Sequence, residues 1–243
     1  MKLVFAGKSK VIHQNGDDYI MRFLDNVTAQ GGNKTARVFG TGIVRAAISE
    51  KIFHVLEDNG IATHLISRVE PDAFKIHKLE MFKLEVIPRN YAAGSACIRF
   101  PFVRGQKFDP AVIKIDMKYG DDPMLNTDYM LALGLASKEE ITEIYELAHR
   151  VNDVLKTFFE QKGLTLVDYK FEVGKKANDQ IVIGDEISCD GMRVWDNLSN
   201  KSLDKDVFRY DWGNLLDSYI ELCNRLLAPV ELKKEDLINV KHD

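Results

Sequence analysis

Short apolar runs separated by turn residues open the chain. Lys2–Phe5 and Lys10–His13 flank Ala6-Gly7-Lys8-Ser9, and Gln14-Asn15-Gly16-Asp17-Asp18 precedes Tyr19–Phe23. This is the pattern of antiparallel strands joined by tight turns, with Asn-Gly as the hairpin signal. From Gly42 to Asn59 the period changes. Ile43, Val44, Ala47, Ile48, Ile52 and Leu56 recur at helical spacing, and Gly60 stops the run. Strands are expected again over Thr63–Val69 and Leu79–Pro88, whereas Ala92–Leu135 is less regular, with a short helix after Gly94. Ser137-Lys138-Glu139-Glu140 has capping-box spacing and opens a helix with an apolar face of Ile141, Ile144, Ala148, Val151, Leu155 and Phe158, ending at Gly163. Leu164–Glu172 and Gln180–Ile187 read as strands around the turn-rich Gly174–Asp179. A last helix covers about Leu215–Leu227, before Pro229. The class is α+β.

Composition narrows this picture without changing it. The 243 residues suffice for one substantial core or for two small lobes sharing a cleft. A hydrophobic share of 45% and a charged share of 29% are those of a globular protein. The net charge of −4 argues against a nucleic-acid partner, which a basic surface would serve. No apolar run approaches the ~20 residues that span a bilayer, and the first apolar stretch is too short for a signal peptide, so a cytoplasmic protein with no membrane partner is expected. Cys97, Cys189 and Cys223 are far apart, which suggests neither a disulfide framework nor a cysteine zinc site. Histidines 13, 54, 64, 77, 149 and 242 lack the HExxH spacing of a two-imidazole metal site.

The richest chemistry lies in Leu166-Val167-Asp168-Tyr169-Lys170-Phe171-Glu172. Strand alternation puts Asp168, Lys170 and Glu172 on one face. The next strand ends in Gly184-Asp185-Glu186, so a hairpin would bring Asp185 to the same acidic wall. Carboxylates gathered in this way suit Mg²⁺ shared with substrate phosphates; a solvated strand face is the competing reading. Gly7-Lys8-Ser9-Lys10 is not a Walker loop, since position 2 is Lys2 rather than glycine and a strand follows instead of a helix. It reads either as a glycine hairpin closing over a nucleotide or as an exposed turn. Arg89-Asn90-Tyr91-Ala92-Ala93-Gly94-Ser95 offers guanidinium, hydroxyl and backbone donors to a phosphate or carboxylate, with an ordinary loop as the alternative. Asp121-Asp122-Pro123 has the form of a turn. Arg193, Lys205 and Arg209 form either a second anion site or surface charge.

In this order these segments resemble the phosphoribosylaminoimidazole-succinocarboxamide synthase (SAICAR synthetase) family. The resemblance runs from Gly7-Lys8-Ser9-Lys10 to about Arg209. Its most specific pieces are Arg89–Ser95, Asp122-Pro123-Met124, Leu166–Gly174, and Gly184-Asp185-Glu186 through Asp190-Gly191-Met192-Arg193-Val194-Trp195-Asp196. It implies a two-lobed fold with a kinase-like or ATP-grasp-like nucleotide cleft, antiparallel sheets and flanking helices. Residues 1–88 would be the β-rich nucleotide-binding lobe and 89–243 the larger α+β lobe. It also implies an ATP-dependent ligase joining an aminoimidazole ribonucleotide to L-aspartate, with Mg²⁺ as cofactor and a homo-oligomer as the assembly. ATP would meet Gly7, Lys8, Lys10, Glu172 and Asp185, and the metal Asp168, Glu172 and Asp185. The ribonucleotide would meet Arg89, Ser95, Lys170, Arg193, Lys205 and Arg209, and Lys10, Asp122 and Lys170 would stand at the chemistry. Tyr91, in place of a basic residue, and Cys189, in place of proline, depart from the family pattern. A kinase shares the phosphate-binding inventory, but HRDxxxxN and DFG strings are absent. A non-catalytic nucleotide-binding regulator would have no use for Glu172 and Asp185.

Overall fold

The structure is a computed structural model that describes residues 1–238, so His242 lies outside the described residues. The chain runs β1 (Lys2–Ala6), β2 (Lys10–Asn15), β3 (Asp18–Phe23), β4 (Asn26–Ala29), β5 (Lys34–Arg37), α1 (Thr41–Asp58), β6 (Leu65–Glu70), β7 (Ala73–Ile76), β8 (Glu80–Met81) and β9 (Leu84–Tyr91). It continues through α2 (Ser95–Arg99), β10 (Lys107–Met117), β11 (Met124–Leu125), α3 (Thr127–Ala132), α4 (Lys138–Gln161), β12 (Leu164–Tyr169), β13 (Glu172–Lys175), β14 (Ile181–Gly184) and β15 (Met192–Asp196). Helices α5 (Asp206–Arg209), α6 (Leu215–Leu227) and α7 (Lys234–Ile238) complete it.

Two five-stranded antiparallel sheets dominate, in the orders β1-β2-β3-β7-β6 and β11-β10-β9-β12-β15. A smaller sheet, β14-β13-β8, and the β4-β5 hairpin lie beside them. The expected α+β class is observed. The division expected after residue 88 falls inside β9, so the second large sheet already begins at Leu84.

The helices follow the periodicity. Along α4, Ile141, Ile144, Ala148, Val151 and Leu155 are buried. At its start the amide of Glu140 donates to Ser137 Oγ at 3.2 Å and the Ser137 amide donates to Glu140 Oε2 at 2.7 Å, the reciprocal pair of a capping box. At the far end Phe159 is fully buried, while Phe158 packs against the core from its edge. Helix α1 is buried from Thr41 to Ser49, because α4, α6, β3 and β6 all pack on it. One of those buried residues is Arg45, with no exposed surface. A charge there needs partners in the interior.

The run Leu164–Glu172 is not one strand but two, in different sheets. The Lys170 amide donates to Gly191 at 2.9 Å, and Phe171 and Val86 exchange backbone bonds of 2.9 Å each. These bonds draw the chain away from β15 and deliver Glu172 to the start of β13. There it lies opposite Gly184 in a hairpin with β14, so the two acidic segments converge as expected. The β14 strand ends at Gly184 rather than at Ile187, because Asp185 takes a left-handed φ of 57°.

Candidate active site

The charged wall is one face of the second large sheet. In β9 the even positions turn inward, where Asn90 donates to Asn152 Oδ1 of α4 at 3.0 Å. The odd positions Glu85 and Arg89 therefore share the opposite face. Register places Asp116 opposite Glu85 and Asp168 opposite Arg89, and Arg193 of β15 opposite Asp168. Arg89, Asp168 and Arg193 thus stand in a row on three adjacent strands. Arg89 donates to Asp168 Oδ2 at 3.3 Å, and Arg193 Nη1 reaches both Asp168 oxygens at 3.1 and 3.0 Å. A bulge between Leu166 and Asp168 makes this row. It turns Leu164 and Leu166 into the core while presenting Asp168 to the wall.

The row has spare donors. Arg89 also donates to Ser95 Oγ at 3.1 Å and to the Ala93 carbonyl at 3.2 Å, but its Nε is buried with no hydrogen-bond partner among the described residues. Burial, only partly offset by Asp168, lowers the Arg89 pKa. Arg193 donates through Nε to Asp206 Oδ2 at 2.9 Å, and Arg209 pairs with the other oxygen of that carboxylate. Lys205 pairs with Asp190 at 2.7 Å. Arg89, Ser95, Arg193 and Arg209 are therefore joined through Asp168 and Asp206, and Lys205, paired with Asp190, lies within electrostatic reach of Arg209. Gly94 has φ 53° and ψ −125°, and a Cβ there would lie 2.3 Å from Arg193 Nη2. Only glycine lets Arg193 take this position.

A second group adjoins the first through Lys170, whose Nζ is 2.7 Å from Glu85 Oε1 and 3.6 Å from Glu172 Oε1. Burial opposes the Lys170 charge, but Glu85 and Glu172 outweigh it and raise its pKa. Lys118 Nζ stands 2.7 Å from both oxygens of Glu172. Burial, then the neighbouring Asp185 carboxylate, push the Glu172 carboxyl above the usual range. The two carboxylates therefore repel one another across this part of the wall. Among the described residues no three acidic, histidine or cysteine side chains gather as a metal-holding group. Of the expected trio, Asp168 is bonded to two guanidinium groups, while Glu172 faces Lys118 and Asp185 faces Lys10.

Lys10 closes the wall from the N-terminal sheet. Its ammonium pairs with Asp185 and lies 2.8 Å from Glu186 Oε1, and these carboxylates outweigh burial to raise its pKa. Arg45 reaches Glu186 through Nε at 3.2 Å and Nη2 at 2.6 Å, and donates to the Leu24 carbonyl at 3.0 Å. Glu186 is held far below the usual carboxylate range, Arg45 and then Lys10 overcoming its burial. Gly7 donates to the Lys10 carbonyl at 2.8 Å, which makes the 7–10 segment a tight hairpin with exposed Lys8 at its tip. Asp122, at φ 52°, is raised first by burial and then by Glu85, against Lys170 and Lys8. It therefore lies within electrostatic reach of both lysines. Two cavities, of about 530 and 560 Å³, share no residue with this wall.

The SAICAR synthetase family model matches residues 3–226. The phosphoribosylaminoimidazole-succinocarboxamide synthase of Methanocaldococcus jannaschii is 44% identical over 92% of this chain and 93% of its own length. That of Pyrococcus furiosus is 43% identical over 93% and 97%. A solved SAICAR synthetase in complex with ADP superimposes with a TM-score of 0.92 at 39% identity, covering 96% of this chain and all of the other.

The chain belongs to the SAICAR synthetase family.

As a SAICAR synthetase it is a carbon–nitrogen ligase of purine biosynthesis, condensing carboxyaminoimidazole ribonucleotide with L-aspartate at the expense of ATP. No helix among the described residues is long and apolar enough to cross a membrane. Of the two departures from the family pattern, Tyr91 packs by Trp195, with ring centroids 6.3 Å apart, and Cys189 is buried. Several residues of this SAICAR synthetase site had a legible signal that went unused. Lys114-Ile115-Asp116-Met117-Lys118 alternates like Asp168–Glu172, and a lone arginine in the apolar run Ile43-Val44-Arg45-Ala46-Ala47 marks a buried charge. Glu85 shares the strand face of Arg89. Asp190 and Asp206 had no local signal, because only the fold sets them against Lys205 and Arg193.

Proposed function

We propose that the row Arg89–Asp168–Arg193 binds the phosphate of the ribonucleotide and that Lys170 holds the carboxylate that reacts. The observation that carries this reading is the pair of guanidinium groups on one strand row, fixed by a shared carboxylate and flanked by Ser95. Two guanidinium forks with a hydroxyl beside one of them match a phosphate dianion in chemistry and charge. Lys205 and Arg209 extend the positive field around it. Gly7, Lys8 and Lys10 receive the ATP phosphates.

Glu172 and Asp185 hold Mg²⁺ in this reading. The fit rests on the buried Glu172 beside the half-buried Asp185 and on the raised Glu172 carboxyl, whose repulsion with Asp185 a cation relieves. Two carboxylates completed by phosphate oxygens and water are an ordinary magnesium set. When bound, the ion neutralises charge on the transferring phosphoryl group.

The chain's own residues account for the rest. Lys170 directs a carboxylate oxygen of the ribonucleotide onto the γ-phosphorus, a new oxygen–phosphorus bond forms and ADP departs. The amine of aspartate then attacks the activated carbonyl carbon, the amide bond forms, and phosphate leaves with the bonding electron pair. The amine must also lose a proton. Asp122, raised by burial and Glu85 and within electrostatic reach of Lys170 and Lys8, takes that proton. Such a sequence needs positioning and charge neutralisation rather than a protein nucleophile.

Phosphate release from ATP, followed with Mg²⁺, L-aspartate and the ribonucleotide each left out in turn, tests the whole reading. Turnover that requires all three is expected; release that continues without aspartate would contradict it. The phosphate row has its own test. Gly94→Ala drives a methyl group into Arg193, so KM for the ribonucleotide rises by about 10- to 100-fold, the loss of one good charged contact, while KM for ATP stays near its original value. An unchanged KM for the ribonucleotide would place its phosphate elsewhere.

A further inference from the structure

We infer that His64 is a positioning residue for the reaction: its imidazole pins the backbone of Asp185 and so aims that carboxylate at the metal. His64 Nε2 lies 2.9 Å from the carbonyl oxygen of Asp185. A carbonyl only accepts, so Nε2 carries the proton and donates it. The residue is 3% exposed, and its ring meets Phe53 edge-on at 5.6 Å. The neutral ring and the imidazolium can both carry that proton on Nε2. The bond therefore does not depend on a charge.

The backbone around it is stitched as well. The His64 amide donates to the Ile183 carbonyl at 2.8 Å, and the Ile183 amide to Ala62 at 3.1 Å. With the imidazole, residues 62–64 grip positions 183 and 185 and span the glycine between them. Asp185 has φ 57°, a left-handed conformation that costs a residue with a side chain some energy, though least for Asp and Asn, and that its surroundings help to hold. The imidazole bond is one of those supports.

Its value is greatest once ATP is bound. In the structure the Asp185 carboxylate is also held by Lys10, yet Lys10 is the lysine assigned to the phosphates. A phosphate that draws Lys10 away removes the side-chain restraint, and the direction of the carboxylate then rests on the backbone that His64 fixes. Partners of this kind, one step removed from a metal, set ligand orientation.

The inference rests on the reading of Asp185 as a metal ligand, and the test separates the two. Mn²⁺ replaces Mg²⁺, the protein is saturated with ADP, and free Mn²⁺ is followed by its paramagnetic resonance signal in the original protein, His64→Phe, His64→Gln and Asp185→Asn. Phe keeps the aromatic packing without a donor, while Gln restores a donor near the place of Nε2. His64→Phe is expected to weaken Mn²⁺ binding by about tenfold, His64→Gln to recover most of it, and KM for the ribonucleotide to stay unchanged in both. Mn²⁺ binding lost in Asp185→Asn but intact in His64→Phe would overturn the role of His64 alone. Equal weakening in Phe and Gln would also overturn it, by tracing the effect to packing. Intact binding in Asp185→Asn would instead remove the metal reading on which the inference stands. If His64→Phe does not fold, His64→Met compared with His64→Gln differs chiefly in the donor and carries the same expectation.

Discussion

Glu172→Gln is expected to lower ATP turnover by about a thousandfold, a barrier increase of about 4 kcal/mol, as the proposed metal site loses one of its two carboxylates. The substitution keeps the shape and removes one charge. Glu172 is 3% exposed, accepts from Lys118 through both oxygens and adjoins Lys170 and Asp185. Fold stability changes little by comparison, for two reasons. The neutral amide no longer opposes Asp185, and Lys118, whose side chain is 40% exposed, can turn to solvent. The measurement is steady-state phosphate release across a range of Mg²⁺ concentrations, with a thermal melt as the control for folding. Partial recovery at high Mg²⁺ would identify the loss as metal affinity. Turnover within a few-fold of the original would take Glu172 out of the metal set.

Arg45→Met has the largest expected effect on stability, about 3–5 kcal/mol, because it leaves a buried carboxylate without its main partner. That loss corresponds to a fall in Tm on the order of 10 °C for a chain of this size. The guanidinium has no exposed surface; it binds Glu186 through two nitrogens and the Leu24 carbonyl through a third. Lys10 and Ser188 still reach Glu186 after the change, which favours the lower end of the range. Adding Glu186→Gln to Arg45→Met should restore part of the loss, since the uncompensated charge is then gone. Melting curves of the two single variants and the double variant measure this coupling. A Tm for Arg45→Met close to the original, or a double variant no better than the sum of the singles, would show that the pair carries little of the stability.

The sequence showed what depends on neighbours along the chain. Helices α4 and α6 were legible because burial on one side imposes a 3.6-residue period, α1 because its apolar residues recur at helical spacing up to Gly60, and the capping box at Ser137 is a purely local device. Alternation likewise exposed Asp168, Lys170 and Glu172 as one charged face. It did not reveal which strand lies opposite which, and the site depends on that. Asp168 read as a metal ligand while its cross-strand neighbours were unknown; with Arg89 on one side and Arg193 on the other, its charge is already matched. The bulge at Val167 and the break at Lys170 were hidden for the same reason, since both answer to hydrogen bonds from β15 and β9. Arg45 stood out as a lone charge in an apolar run, but its partner Glu186 lies far along the chain and only the fold brings the two together.

The row of Arg89, Asp168 and Arg193 also guards the chain against misassembly. Sliding β12 by one residue relative to β9 and β15 would turn Asp168 into the hydrophobic interior and bring Val167 or Tyr169 out between two guanidinium groups. A buried unpaired carboxylate and two unmatched cations make each such slip costly. Strand registers that would break up this row are thus the ones that folding itself rejects, and a chain that completes this sheet has already assembled the row proposed to grip phosphate.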